Sequence, residues 1–275
     1  MEIQELRKKA IAIRRDLLAM IHKCKAGHTG GALSSTDILV ALYYSVMKVD
    51  PGNPHWAERD YFVMSKGHSV EGLICILADL GFFDKAELDT FCRYGTRLIG
   101  HPNNKVPGIE MNTGALGHGL SVAVGMAKGL KMAGRPNRVF AVMGDGEQAE
   151  GSIWEAAMAG AHYRLDNLTG VIDRNRLQIS GDTEEVMGLE PLAGRWRAFG
   201  WDVHEIDGHD LAVLVDNLGA KPDGSGKPRL FIAETVKGKG VREMENVAKW
   251  HHGVPDDALL ASAMRQLAGE EGRTA

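Results

Sequence analysis

The chain has 275 residues, 44% of them hydrophobic and 25% charged, and its 32 basic and 36 acidic side chains give a net charge of −4. That balance lacks the basic excess that replaces phosphate counterions, which argues against a nucleic-acid partner, and no apolar run approaches the ~18 residues of a membrane span. Three cysteines (Cys24, Cys75, Cys92) without CxxC spacing suit neither a disulfide framework nor a thiolate zinc site. The N-terminus mixes both charges and has no signal-peptide core. The expectation is a cytoplasmic protein with no membrane partner, long enough for one large α/β core spanning about residues 10–260 of a single domain, 1–275.

Leu6, Ala10, Ile13, Leu17, Met20 and Ile21 recur at helical spacing, which predicts an amphipathic helix over 3–24, stopped by Lys23, Lys25 and Gly27. A second helix is expected from Ser35 or Thr36 to about Met47, before the Asp50-Pro51-Gly52 turn. Residues 61–64 read as a short strand. From residue 139 the alternation becomes regular. Residues 139–143 form a continuous apolar run, as in a strand buried on both faces, and Gly144-Asp145-Gly146 ends it. Ser152-Ile153-Trp154-Glu155 has the form of a capping box opening a helix to about Tyr163. Then follow a strand over 168–172, a loop over 173–181, a strand over 201–206, a helix over 210–218 and a strand over 230–236. This order implies a mostly parallel central sheet with helices on both faces and right-handed crossovers. Residues 220–228, rich in Gly, Pro and Lys, read as a surface loop within the domain, and the tail from Gly269 as frayed.

Asp145 falls at the carboxyl end of a parallel strand, where α/β sheets bind ligands. The flanking glycines let a bulky anion approach the backbone, and the helix opening near Ser152 adds a positive dipole end. Taken alone, this is equally compatible with a plain turn. Thirty residues on, at the end of the next expected strand, comes Asp173-Arg174-Asn175-Arg176-Leu177. Consecutive strands of a βαβ unit lie side by side, so Asp145 and Asn175 should converge. One carboxylate, one amide oxygen and a backbone carbonyl such as that of Leu177 form a sparse oxygen set. Such a set suits Mg²⁺ completed by phosphate oxygens.

Gly-Asp-Gly followed by Asn some 30 residues later resembles the thiamine diphosphate fingerprint, and the surrounding text resembles transketolase. The matching stretches, in family order, include Gly27-His28-Thr29-Gly30-Gly31, Ser65-Lys66-Gly67-His68, Gly100-His101-Pro102 and Thr113-Gly114-Ala115-Leu116-Gly117. They continue through Glu150-Gly151-Ser152, Asp173-Arg174-Asn175, Val236-Lys237-Gly238 and Trp250-His251-His252-Gly253, covering about residues 26–255. The resemblance implies the diphosphate-binding (PP) fold, with thiamine diphosphate and Mg²⁺ (or Ca²⁺ or Mn²⁺) held by Asp145, Asn175 and the Leu177 carbonyl. It puts Gly144 and Gly146 at the diphosphate, Gly114 and Leu116 at the aminopyrimidine, and Ile179 on an apolar face of the cofactor. Glu147 is either a cofactor contact or a local hydrogen-bond acceptor. His68 and His252 would reach the diphosphate and reaction centre, His252 being chosen over His251 for the Gly253-Val254-Pro255 that follows it. His28 and His101 would line the substrate channel, and Glu150 would link paired active sites. His118 stands where glutamine is usual and suits a hydrogen bond within its loop. Arg174 and Arg176 depart from the family pattern and would add positive charge beside the diphosphate.

A full transketolase is more than twice this length, and its aminopyrimidine-binding glutamate and sugar-phosphate arginines lie beyond the region matched here. The resemblance therefore implies the N-terminal subunit of a split transketolase. Its partner would be a C-terminal subunit with pyrimidine-binding and C-terminal domains, in an α2β2 assembly acting on a sugar phosphate. A 1-deoxyxylulose-5-phosphate-synthase-like or 2-oxo acid dehydrogenase-like half, or a regulatory subunit that kept the fold, are the alternatives. A Rossmann dehydrogenase is disfavoured because no GxGxxG follows a strand.

Overall fold

The apolar stripe of the first segment is realised as α1 (Ile3–Cys24), which buries Leu6, Ile13, Leu17 and Ile21 and ends at a left-handed Lys25. The computed structural model describes residues 1–222 and 224–273. Helix α2 (Thr29–Ala41) begins six residues before the expected start and ends in a π-helical turn, Leu42–Val46. Every residue of α2 is buried, so no exposed face limited its composition. Its glycines are admitted by tertiary contact and not by helix propensity: a methyl group on Gly31 would run into the Ser69 hydroxyl.

The remaining elements are β1 (Tyr61–Met64), α3 (Val70–Leu80), α4 (His118–Met132), β2 (Val139–Gly144), α5 (Gly151–His162) and β3 (Leu168–Arg174). After them come α6 (Thr183–Met187), α7 (Leu192–Ala198), β4 (Asp202–Asp207), α8 (Leu211–Gly219), β5 (Arg229–Glu234) and α9 (Asp257–Arg273). The five strands pair in parallel in the order β1-β2-β3-β5-β4. Alternate strand residues enter two cores. Phe62, Phe140, Val142 and Phe231 pack with α1, α2, α3 and α8 on one face, while Val139, Ala141, Met143 and Ile172 pack with α4, α5 and α7 on the other. The expected parallel sheet covered on both faces is what forms.

Several boundaries differ. The capping box at Ser152 is not made: the N-cap falls two residues earlier, at Glu150, and it gives no side-chain cap bond. Asp173 and Arg174 extend β3 instead of opening a loop. The tail is helical through Arg273; its last two residues lie outside the described chain. Residues 220–228 carry no helix or strand, with Asp223 outside the description.

Candidate active site

In the β2–β3 register Gly144 pairs with Asp173, so Asp145 and Asn175 leave adjacent strands at the carboxyl edge of the sheet. A cavity of about 270 Å³ opens there, lined by Gly144, Asp145, Gly146, Glu147, Glu150, Asn175, Leu177 and Ile179 together with Leu116 and His68. Ten residues expected from the sequence thus meet at one cavity.

Asp145 is held in place by backbone donors. Gly146 N–H reaches Oδ1 at 2.7 Å and Arg176 N–H reaches Oδ2 at 2.5 Å. Burial, with Asp173 as a neighbouring like charge, raises its carboxyl to about 6. Asn175 turns its amide nitrogen to Asp173 (3.3 Å), and its oxygen accepts Leu177 N–H at 3.2 Å. Glu147 resolves to the local role: its two oxygens accept the Ser65 hydroxyl, Gly117 N–H (2.8 Å) and Gly144 N–H (3.0 Å). Gly117 has a positive φ of 83°, and a side chain there would clash with Glu150.

Two lysines that the motif reading did not single out complete the cavity. Lys66, 2% exposed, donates to Gly31 O (3.0 Å) and forms an ion pair with the fully buried Asp173. Asp173 also accepts the Ser34 hydroxyl at 2.6 Å and the Thr235 hydroxyl. Lys237 donates to the Leu177 carbonyl at 2.9 Å and lies 3.2 Å from His251 Nδ1; burial, with Lys66 nearby, lowers it to about 8. Both lysines sit at strand ends in quoted motifs, so the strand-end rule applied to Asp145 would have found them. Of the two arginines, Arg174 does bring charge to the site: it is buried, lies 3.5 Å from Asp145 Oδ2 and also pairs with Glu184 (2.9 Å) and Glu190 (3.0 Å), whereas Arg176 pairs with Glu234 (2.9 Å).

Five histidines form a wall beside the cavity. The His28 ring centroid lies 5.2 Å from His68, 6.3 Å from His101, 5.8 Å from His251 and 4.7 Å from His252. His251 stacks on His68 at 5.0 Å and lines the cavity, whereas His252 sits one step out against His28. The geometry therefore brings His251, and not His252, to the cavity lining, with His252 in the histidine wall beside it. Gly114 is outside the cavity lining and backs the ring of His101. Burial lowers His28 to about 4, His251 to about 3, and His68 and His101 below the ordinary range, so these rings are neutral near pH 7. His118 makes the expected loop bond, to Leu116 O at 3.1 Å.

The cavity passes a test of fit for a metal–diphosphate group. It offers a carboxylate, an amide oxygen and a carbonyl, two buried cations, and a Gln178 amide nitrogen that is buried with no hydrogen-bond partner. Among the described residues no group of three or more His, Cys, Asp or Glu could hold a metal unaided, so a metal here would depend on ligand oxygens. Nor is any described helix long and apolar enough to cross a membrane.

Fold and site together define a diphosphate-binding α/β domain of the kind that carries thiamine diphosphate. Comparison with known proteins narrows the class. The family described as transketolase, thiamine diphosphate binding domain, matches residues 6–273, and the chain belongs to it. It is 50% identical over 268 residues to one subunit of the apulose-4-phosphate transketolase of Phocaeicola vulgatus, covering 98% of this chain and 95% of that one. It is 43% identical to a 6-deoxy-6-sulfo-D-fructose transketolase subunit of a Clostridium species, covering 97% of each. The solved transketolase of Campylobacter jejuni superposes with a TM-score of 0.91 at 31% identity, covering all of this chain and 46% of that one. The chain thus spans about half the length of the solved transketolases.

Proposed function

We propose that this chain is the diphosphate-binding subunit of a two-chain transketolase, which transfers a two-carbon ketol unit from a ketose to an aldose acceptor. The observation that carries the reading is the convergence of Asp145, Asn175, the Leu177 carbonyl, Lys66 and Lys237 in one cavity beside five histidines. End-to-end similarity to proteins named as subunits supports the two-chain form.

Asp145, Asn175 and Leu177 O would hold Mg²⁺, and Lys237, Gln178 and the 144–146 backbone would face the diphosphate. Thiamine diphosphate, when bound, would supply the carbanion chemistry that ketol transfer requires. The chain's own part is orientation and proton handling. His28, His68, His101, His251 and His252 surround the approach as hydrogen-bonding rings, and the neutral ones meet sugar hydroxyls without adding charge. The apolar rim formed by Ile179, 67% exposed, with exposed Val186 and Met187, suits burial by the partner that would complete the cofactor site. Glu150, at the rim, would face the second active site of an α2β2 assembly. The two relatives' names carry a phosphorylated and a sulfonated sugar, so a ketose with an anionic tail is the substrate class proposed.

The test is reconstitution. Purified chain, its partner, thiamine diphosphate and Mg²⁺ should convert a ketose phosphate and an aldose, with negligible turnover by the chain alone. Full turnover by the single chain would refute the two-chain form. Consumption of pyruvate in place of the ketose would move the protein to the synthase-like alternative. No binding of thiamine diphosphate would make it a non-catalytic subunit.

A further inference from the structure

Glu71 stands in the first turn of α3, where a carboxylate is ordinary, yet its side chain is wholly buried. One oxygen accepts the backbone N–H of His28 at 2.6 Å, and the other has no hydrogen-bond partner. Nδ1 of His28 lies 4.0 Å from the bonded oxygen. Holding one N–H needs only a carbonyl oxygen. An acid whose second oxygen is left dry is costly compared with a satisfied group, so the carboxyl calls for a use beyond capping.

We propose, on the transketolase reading above, that Glu71 is a positioning and proton-relay residue acting through His28. The Glu71 carboxyl O–H passes its proton to His28 Nδ1 as His28 Nε2–H passes a proton to an oxygen of the bound sugar. The carboxyl O–H and Nε2–H bonds break, the Nδ1–H and sugar O–H bonds form, and the negative charge moves from the sugar oxygen to Glu71. The ring changes tautomer and is never an imidazolium.

The surroundings favour this route. Burial lowers His28 to about 4, with His252, His101 and Lys237 adding to the effect, so an imidazolium is disfavoured there. Burial raises Glu71 to about 7, so near neutrality a large share of molecules carry the mobile proton on this carboxyl. Of the other groups facing Glu71, Lys66, itself paired with Asp173, and the His28 N–H pull the carboxyl down without outweighing burial, and burial holds the Cys75 and Cys92 thiols in their neutral form. The 4.0 Å gap is of the kind that tightens when a ligand seats.

Glu71→Gln keeps an oxygen for the His28 N–H and removes the acid proton. In the reconstituted enzyme, kcat for a ketose donor should fall at least about tenfold, the low side of what placed acid–base groups supply. Thiamine diphosphate affinity and Tm should stay close to those of the parent. The parent kcat should decline as pH rises through about 7, and that limb should vanish in the variant. A variant with parental kcat and pH profile overturns the relay, as does one whose Tm and cofactor affinity fall in step with kcat. Carboxyl ¹³C and ring ¹⁵N NMR of the unsubstituted full chain, without cofactor or partner, test the relay separately from the transketolase reading. Glu71 should titrate near neutrality with a coincident response at His28 Nδ1; titration in the ordinary carboxylate range with a silent His28 refutes it.

Discussion

Lys66→Met removes the ammonium paired with Asp173 in the floor of the cavity. Taking one partner from a buried ion pair costs about 3–5 kcal/mol, because the remaining charge is stranded. Asp173 would keep the Ser34 and Thr235 hydroxyls and the more distant Asn175 amide, which places this case near 3 kcal/mol. At about 2–4 °C per kcal/mol for a chain near this size, Tm should fall by roughly 6–12 °C at pH 7. The loss carries a pH signature. Burial pushes Asp173 up, but Lys66 and the hydroxyls outweigh it and hold the carboxyl below its ordinary value. In the parent, therefore, Asp173 contributes stability above the unfolded value near 3.8 and loses it as pH falls through the folded one. In the variant the burial effect is left with less opposition and the shift reverses, so stability declines as pH rises. Scanning calorimetry of the full chain from pH 4 to 8 should show the two curves diverging upward. Lys66→Met combined with Asp173→Leu should recover most of the Tm, since no charge is then stranded. A single variant within about 1 °C of the parent at pH 7, or a double variant no better than the single, would refute the reasoning.

Asp145→Asn should separate stability from ligand binding. Because burial raises Asp145 to about 6, the cofactor-free chain loses stability as pH climbs from the unfolded value near 3.8 through about 6. The amide removes this titration, although its nitrogen must face the N–H of Gly146 or Arg176 where an oxygen now accepts, so the variant's Tm should stay flat through that window while calorimetric titration shows Mg²⁺-dependent thiamine diphosphate binding lost; a variant that keeps the parent's pH dependence and still binds would contradict both halves. The same titration on the parent should show metal-dependent affinity falling steeply below pH 6, where the metal must displace a proton, and a flat profile would exclude Asp145 as the ligand. Gly117→Ala should cost at least about 1–2 kcal/mol through its left-handed φ alone, with further loss from the methyl contact with Glu150 and Ser152. Equal thermal unfolding of variant and parent would show that this loop yields without strain.

How far the site could be read from the residues depended on which rule governed each one. Asp145 and Asn175 were legible because strand ends are marked by apolar runs and sequential parallel strands lie together, as Gly144 opposite Asp173 bears out. Lys66 and Lys237 stood in motifs noted for their glycines and histidines, and a lysine in a loop carries no sign of burial. Their burial is imposed by partners distant in sequence, Asp173 and the Leu177 carbonyl. The start of α2 was missed because Gly30-Gly31 reads as a breaker; only the packed surroundings of Ser69 and Lys66 show why small residues are needed. Adjacent His251 and His252 share one sequence context, and the turn that sends them in different directions has no local signature. The Ser152 motif fails for the opposite reason: the pattern is present, but the chain enters the helix two residues sooner, at Glu150.

The charge arrangement ties these residues to one another. Lys66 and Asp173 neutralise each other inside the fold, so their pair fixes geometry; Arg174 stands 3.5 Å behind Asp145, and the cavity itself is lined by Lys237 and Asp145. Each is held in a strained ionisation: burial, with Lys66 nearby, makes the Lys237 ammonium easier to deprotonate, and burial, with Asp173 nearby, makes the Asp145 carboxylate easier to protonate. An incoming group that is anionic toward Lys237 and cationic toward Asp145 relieves both at once. A bare anion would relieve only the lysine and a bare cation only the aspartate. Lys237 also donates to the Leu177 carbonyl, so a metal that took that oxygen would compete with the ammonium and free it for an anion. On this reasoning a metal and a diphosphate should bind together, each weakly without the other, and calorimetric titration of each alone and of both checks it; tight binding of either alone would refute it.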